Sequence, residues 1–405
     1  MLWSPVPRES DESGSGGARL ARRTVEPAFV IALYVLAIVG VGSAFYTFGV
    51  VMEYLVAVRL ADPTGRRKME KHIEALKGHI ILAGLAVGYS VAAHARWPWV
   101  GLLLLLPMVP GLGATINGAR IWIRFAGFSF QPGEIAKIAL ALFFAGYLVT
   151  ARDSLSMVGK KFLGVRWPQL KDLGPIFVVW LVAMMVLIFQ RDMGTSLLYF
   201  GLFLVLMYVA TGRAIWFVVG GGLFGTGALV ASRFLTYVEG RFAAWLDSFN
   251  PTVYEAVGGS YQLVQGLFGF ASGGIIGTGL GAGHPSIVPL AESDYIVASL
   301  GEELGLVGIF AILCLYLLFI SRGMRIGING ADDFGRLLAV GLTFVIALQV
   351  FIVIGGVTRV IPVTGLTTPF LAAGGSSLVA NWIIVALLLR LSDTVRHQRE
   401  GGDAA

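Results

Sequence analysis

Long apolar runs separated by short polar connections set the architecture of this chain. Stretches long enough to cross a bilayer, about 20 residues each, fall near 27–52, 78–95, 98–116, 133–151, 173–190, 194–212, 214–234, 295–320, 335–357 and 369–391. The pattern predicts an all-α polytopic membrane protein with about ten transmembrane helices. One connection is out of proportion. From Leu235 to Asp294, between the seventh and eighth spans, no run is convincing as a crossing segment, and loops of this length are usually functional. Its aromatic residues and the run GFASGGIIGTGLGAG suit a re-entrant or amphipathic segment lining a cavity better than a solvated linker.

Composition agrees with this class. The 405 residues are 56% hydrophobic and only 13% charged, with mean hydropathy +0.79, whereas soluble chains carry about a quarter charged residues. The net charge of +6 lies mostly in loops; it fits a membrane with anionic lipids and gives no sign of a nucleic-acid partner. An even number of spans puts both termini on one side, and the cation count chooses the cytoplasm. That choice places Arg19, Arg22, Arg23, Arg152, Lys160, Lys161, Arg166, Lys171, Arg213, Arg322, Arg325, Arg336, Arg396 and Arg399 inside. The cluster Arg66, Arg67, Lys68 and Lys71 falls outside and breaks the rule. Residues 1–26 read as a disordered cytoplasmic tail, 27–393 as the transmembrane domain with 235–294 as its long extracytoplasmic loop, and 394–405 as a second cytoplasmic tail. The single Cys314 lies within a span, so no intrachain disulfide forms.

The polar residues that interrupt the apolar pattern gather at the outer end. Glu134 and Lys137 are three apart in a predicted helix and share a face. Asn117, Gly118, Arg120, Trp122 and Arg124 precede them, and Gln190, Arg191 and Asp192 end another span. Glu292 and Asp294 open the eighth span, with Glu302 and Glu303 deeper within it; Arg359 ends the ninth, and Ser376 lies in the GGSS that enters the tenth. Charges inside a membrane mark a substrate or ion pathway by default. Two readings of each pair stand: a closure of the bundle, or part of a site for an anionic, sugar-bearing lipid. Trp122 is likewise either an interfacial anchor or a sugar-stacking ring.

Seven collinear motifs carry a resemblance over roughly residues 75–393: NGARIWI at 117–123, FQPGEIAK at 130–137, FQRDMGTS at 189–196, GSYQLVQ at 259–265, GTGLG at 277–281, ESDYIVASLGEELGL at 292–306 and IPVTGLTTPFLAAGGSS at 361–377. The chain resembles the SEDS family, for shape, elongation, division and sporulation, and within it the RodA branch, actinobacterial in its phrasing. Gly133 stands where Ser is usual, and Ala372-Ala373 where Ser-Tyr is usual. The resemblance implies a peptidoglycan glycosyltransferase at the outer face of the cytoplasmic membrane, polymerising lipid II onto a nascent glycan strand and releasing undecaprenyl diphosphate during cell elongation. It also implies a class B penicillin-binding protein as cross-linking partner.

That reaction needs a general base for a sugar 4-hydroxyl and positive charge for a departing diphosphate. The resemblance puts the base in the long outer loop, where RFAAWLDSFN supplies Asp247 and Glu255 is the fallback. Partial desolvation by Trp245 and Phe249 would raise the Asp247 pKa toward a working range. Lys137, Arg191, Arg241 and Arg359 are the cation candidates, and Glu134, Arg120, Trp122, Gln190, Asp192, Tyr261, Gln262, Asp294 and Ser376 complete the expected substrate site. The resemblance implies stimulation by a divalent cation, Mg2+ or Mn2+, although no dedicated metal motif is present, and no organic cofactor is expected. A lipid II flippase is the competing class; the halves of the chain show no internal repeat of the kind transporters carry.

Overall fold

The computed structural model describes residues 106–108, 112–116, 119–125, 128–156, 161–162, 165–166, 173–330 and 332–402. The predicted 1–26 tail and the first two predicted spans lie outside these residues. The described chain opens on an antiparallel sheet, β1 (Gly113–Ile116), β2 (Ala119–Phe125) and β3 (Phe128–Phe130), in that order. Ile116 pairs with Ala119 and Phe125 with Phe128, so two residues separate each pair of strands. The end of the predicted 98–116 span is thereby corrected: 106–108 is a 3-10 turn and 113–116 a strand. The local reason is readable. Asn117-Gly118 is a strong hairpin signal, and ARIWIRF alternates polar and apolar positions through seven residues. A second small hairpin joins β4 (Lys161–Phe162) to β5 (Val165–Arg166).

The helices are α1 (Pro132–Ser156), α2 (Leu173–Met185), α3 (Met193–Thr211), α4 (Ile215–Phe234), α5 (Thr236–Leu246), α6 (Pro251–Tyr254), α7 (Tyr261–Gly273), α8 (Ile296–Asn329), α9 (Asp333–Val357) and α10 (Gly375–Gly402). Among the described residues six of them, α1, α3, α4, α8, α9 and α10, are long and apolar enough to cross a membrane. Pro132 opens α1 with Glu134 in its first turn, both favoured at a helix N-terminus. Helix α10 begins later than the predicted 369 and continues through the expected 394–405 tail as far as Gly402. The segment between α4 and α8, read as one long loop, is folded: it carries α5, α6, α7 and a 3-10 turn at Pro285–Ile287.

Helices α1, α3 and α9 form the centre. Leu148, Leu202, Leu206, Leu342 and Ile346 are buried there in one cluster. In lipid the apolar surface gives little drive for association, so close packing carries it. A Cβ added at Gly341 of α9 would lie 3.2 Å from Leu206 of α3. Helix α8 breaks at Gly305, whose φ of 67° and ψ of −171° are not helical. The freed backbone groups are satisfied by the glycine-rich run: the Leu306 and Val307 N–H groups donate to Gly274 and Ile275, and those of Thr278 and Gly279 donate to the Glu302 and Glu303 carbonyls. Non-helical backbone inside a membrane needs such partners.

Candidate functional site

The Glu134–Lys137 pair is a sealed hub. Lys137 is 1% exposed and Glu134 6%. The Lys137 Nζ lies 2.6 Å from Glu134 Oε2 and donates to Gln349 Oε1 of α9 at 3.0 Å and to Asn381 Oδ1 of α10 at 3.2 Å. The ammonium is thus ion-paired to one carboxylate and hydrogen-bonded to two buried amides. The network extends outward: Asn381 donates to Ser377 Oγ, as does Thr367 Oγ1, and Gln349 Nε2 donates to the Thr367 carbonyl. Lys137 and Glu134, expected as substrate residues, are both buried and joined to each other. The pair ties α1 to α9 and α10. Ser376 has a similar task, its Oγ accepting from the Gln131 N–H at 3.1 Å just before α1.

A second polar group surrounds the α2–α3 turn. The last turn of the α2 region, Val186–Gln190, is a π turn that ends on Arg191 in left-handed conformation with φ 56°. A non-glycine residue there stores strain, which is common at functional positions. Asp192 then caps α3, accepting from the Thr195 N–H at 2.9 Å and its hydroxyl at 2.5 Å. Burial raises the Asp192 pKa against those hydrogen bonds, and the Glu134 charge adds to the rise. Arg191 lies over the Tyr237 ring at 5.8 Å, and Gln190 is buried. On β2, Arg120 donates through Nε to the Pro107 carbonyl at 3.1 Å, while Trp122 is half-buried opposite Ala114.

The third group forms a cleft of about 250 Å³ between α5, α7 and the segments before α8 and after α9. Arg241, Trp245, Tyr261, Gln262 and Tyr295 line it. Gln262 Nε2 donates to the Pro289 carbonyl at 2.6 Å, and Tyr261 lies against Tyr254 with ring centroids 5.3 Å apart. Arg241 contacts the Val363 carbonyl at 3.4 Å. Asp294 precedes the lining Tyr295 and feels the Arg241 charge, while Asp247 and Glu255 lie close in sequence to lining residues without lining the cleft themselves. Burial raises the Asp294 pKa to about 6, against the Ser293 hydroxyl and the Arg241 charge.

Asp247 and Glu255 are both exposed. The expected desolvation of Asp247 by Trp245 and Phe249 is therefore corrected: Phe249 is itself 59% exposed, and Asp247 caps the end of α5, accepting from Asn250 Nδ2 at 2.8 Å. Arg359 is turned to a structural task as well. Its guanidinium donates to the Trp245 and Leu246 carbonyls at 2.8 and 2.9 Å, satisfying the C-terminal end of α5, while Trp245 Nε1 donates back to the Arg359 carbonyl. Sequence reading missed Gln349 and Asn381, two buried amides in the apolar runs of α9 and α10. Their polarity within spanning segments was the available signal. Among the described residues no group of three or more His, Cys, Asp or Glu converges as a metal site.

Comparison with known proteins matches this chain over residues 34–397 to the family model of the FtsW, RodA and SpoVE cell cycle proteins. It is 49% identical over 290 residues to the peptidoglycan glycosyltransferase RodA of Mycobacterium bovis, a match covering 72% of this chain and 61% of that protein. The chain thus spans about three fifths of the length of that mycobacterial relative. An FtsW protein of Geobacter sp. (strain M18) is 33% identical over 367 residues, covering 86% of this chain and 94% of the relative. Among solved structures, a peptidoglycan synthase complex that coordinates polymerization and crosslinking contains a chain of the same fold, with TM-score 0.57 at 23% identity over 87% of this chain and 97% of that one. This membrane protein, with its broken eighth helix and its buried lysine hub, belongs to the FtsW/RodA/SpoVE family of cell cycle proteins.

Proposed function

We propose that this chain is a peptidoglycan glycosyltransferase of the RodA type, polymerising lipid II at the outer face of the cytoplasmic membrane. The observation that carries the reading is the cleft lined by Arg241, whose charge acts on the buried Asp294 beside it. A cation at the cavity and carboxylates on the segments around it would supply both halves of the chemistry. The acceptor sugar 4-hydroxyl attacks the anomeric carbon of the donor strand, its proton passes to a carboxylate, and the bond to undecaprenyl diphosphate breaks as the new glycosidic bond forms. Arg241 stabilises the negative charge that develops on the leaving diphosphate. Asp247 is the proposed base and Glu255 its fallback, both reachable from solvent. Asp294 is the second reading, favoured because burial brings it nearer the operating pH, where a base works best.

The proposal includes ten spans with both termini cytoplasmic, the α5–α7 segment outside, and a class B penicillin-binding protein as the cross-linking partner. A divalent cation, Mg2+ or Mn2+, would arrive on the diphosphate of the substrate, and no step above is assigned to it. Purified protein in liposomes containing fluorescent lipid II tests the reading. Glycan strands support it, whereas transbilayer movement of the lipid without polymer would favour the flippase.

A further inference from the structure

We propose that the cleft between the C-terminal halves of α8 and α10 binds the headgroup of an anionic phospholipid. The cleft measures about 790 Å³, within the size range of ligand pockets. Its polarity is graded along the helices. Phe319, Val385 and Leu388 line one end, and Arg322, Arg325 and Arg396 the other. Arg322 and Arg325 are three apart on α8 and exposed, and among the described residues neither has an ion-pair partner. A guanidinium fork suits a phosphodiester, and the apolar end suits acyl chains.

Position along α8 supports the same occupant. Arg322 and Arg325 lie 17 and 20 residues beyond the break at Gly305. At 1.5 Å per residue that is roughly 26–30 Å, close to the thickness of a hydrocarbon core. The arginines therefore lie well beyond the break, toward the end of α8 opposite Tyr295 of the Arg241 cleft. One wall of the pocket is fixed, because α8 is held tightly to α9: a Cβ on Gly323 would lie 2.2 Å from Thr343 Oγ1. The cleft lies on the face of α8 toward α10. The choice of leaflet rests on the proposed orientation and would be the inner one; binding itself does not depend on it.

The full chain in detergent is titrated with phosphatidylglycerol, phosphatidylcholine or inorganic phosphate, with retained adducts read by native mass spectrometry and protection by thermal shift. Phosphatidylglycerol is expected to bind and stabilise, and phosphatidylcholine not. Arg322→Gln with Arg325→Gln should weaken phosphatidylglycerol about tenfold or more. Ser392→Trp, which fills the cleft and leaves both arginines, should do the same, so a folding defect in the arginine variant does not shield the proposal. Arg390→Gln, in an exposed ion pair with Asp393 away from the lining, should bind as wild type. Equal binding of the two lipids, unchanged binding in both cleft variants, or equal protection by inorganic phosphate alone would each overturn the assignment.

Discussion

Replacing Lys137 by Met removes the buried cation at the α1, α9 and α10 junction. It leaves Glu134 6% exposed with no counter-charge and strips a donor from Gln349 Oε1 and from Asn381 Oδ1. Breaking a buried ion pair by removing one partner costs about 3–5 kcal/mol. At the lower end of that range, and at about 1 °C per kcal/mol for a chain of 405 residues, Lys137→Met should melt roughly 3–4 °C below wild type in detergent. Glu134→Gln combined with Lys137→Met removes the stranded charge and should recover about half of that loss, so the two substitutions couple as a double-mutant cycle measures. Scanning fluorimetry of the purified proteins reads both. A Lys137→Met protein melting at the wild-type temperature, with no coupling to Glu134→Gln, would refute the hub and return Lys137 to the role of a cation awaiting substrate.

Other outcomes follow from the cleft and the topology. If Asp294 is the base, polymerisation should rise with pH through about 6 as its carboxyl ionises, and Asp294→Asn should abolish that limb; an unchanged pH–rate profile would leave Asp247 or Glu255 as the base. For stability the sign is opposite: burial raises this acid above its unfolded value, so the native state holds the extra proton and its contribution fades as pH climbs from about 4 to about 6. Denaturant midpoints of wild type and Asp294→Asn across that window measure it. Asp247→Asn should stop polymerisation while the protein stays folded, and near-normal turnover together with a dead Glu255→Gln would move the base. In a Cys314→Ser background, Thr252→Cys should react with impermeant maleimide on intact cells and Ser156→Cys only after permeabilisation; the reverse labelling would put the Arg241 cleft in the cytoplasm.

The parts legible in the sequence are those fixed by local rules. Helices α3, α4 and α9 begin and end within two residues of the apolar runs, because a bilayer demands that length of apolar chain. The Glu134–Lys137 pairing was legible from its three-residue spacing. Its meaning was not, since the acceptors that complete the ammonium lie 212 and 244 residues away. The β1–β3 sheet was hidden beneath its charges, although the alternation in ARIWIRF and the Asn-Gly turn announced it. Helices α5 to α7 are too short to register as spans, and the pairing of Gly274–Gly279 with the break in α8 is a long-range backbone match that no local pattern encodes. Arg359 shows the same limit: its guanidinium also caps a helix more than a hundred residues earlier in the chain, which no local pattern announces.

The most direct measurement is the rate at which purified protein polymerises fluorescent lipid II, with Arg241→Gln run beside wild type. Arg241 lines the cleft and faces Asp294 electrostatically, and removing one group that stabilises a developing oxyanion costs about a hundredfold or more. Wild type should yield glycan strands and Arg241→Gln should fall by about that factor while melting within a few degrees of wild type. Strands made at the wild-type rate by Arg241→Gln, or none made by the wild-type chain, would contradict the placement of the chemistry in this cleft.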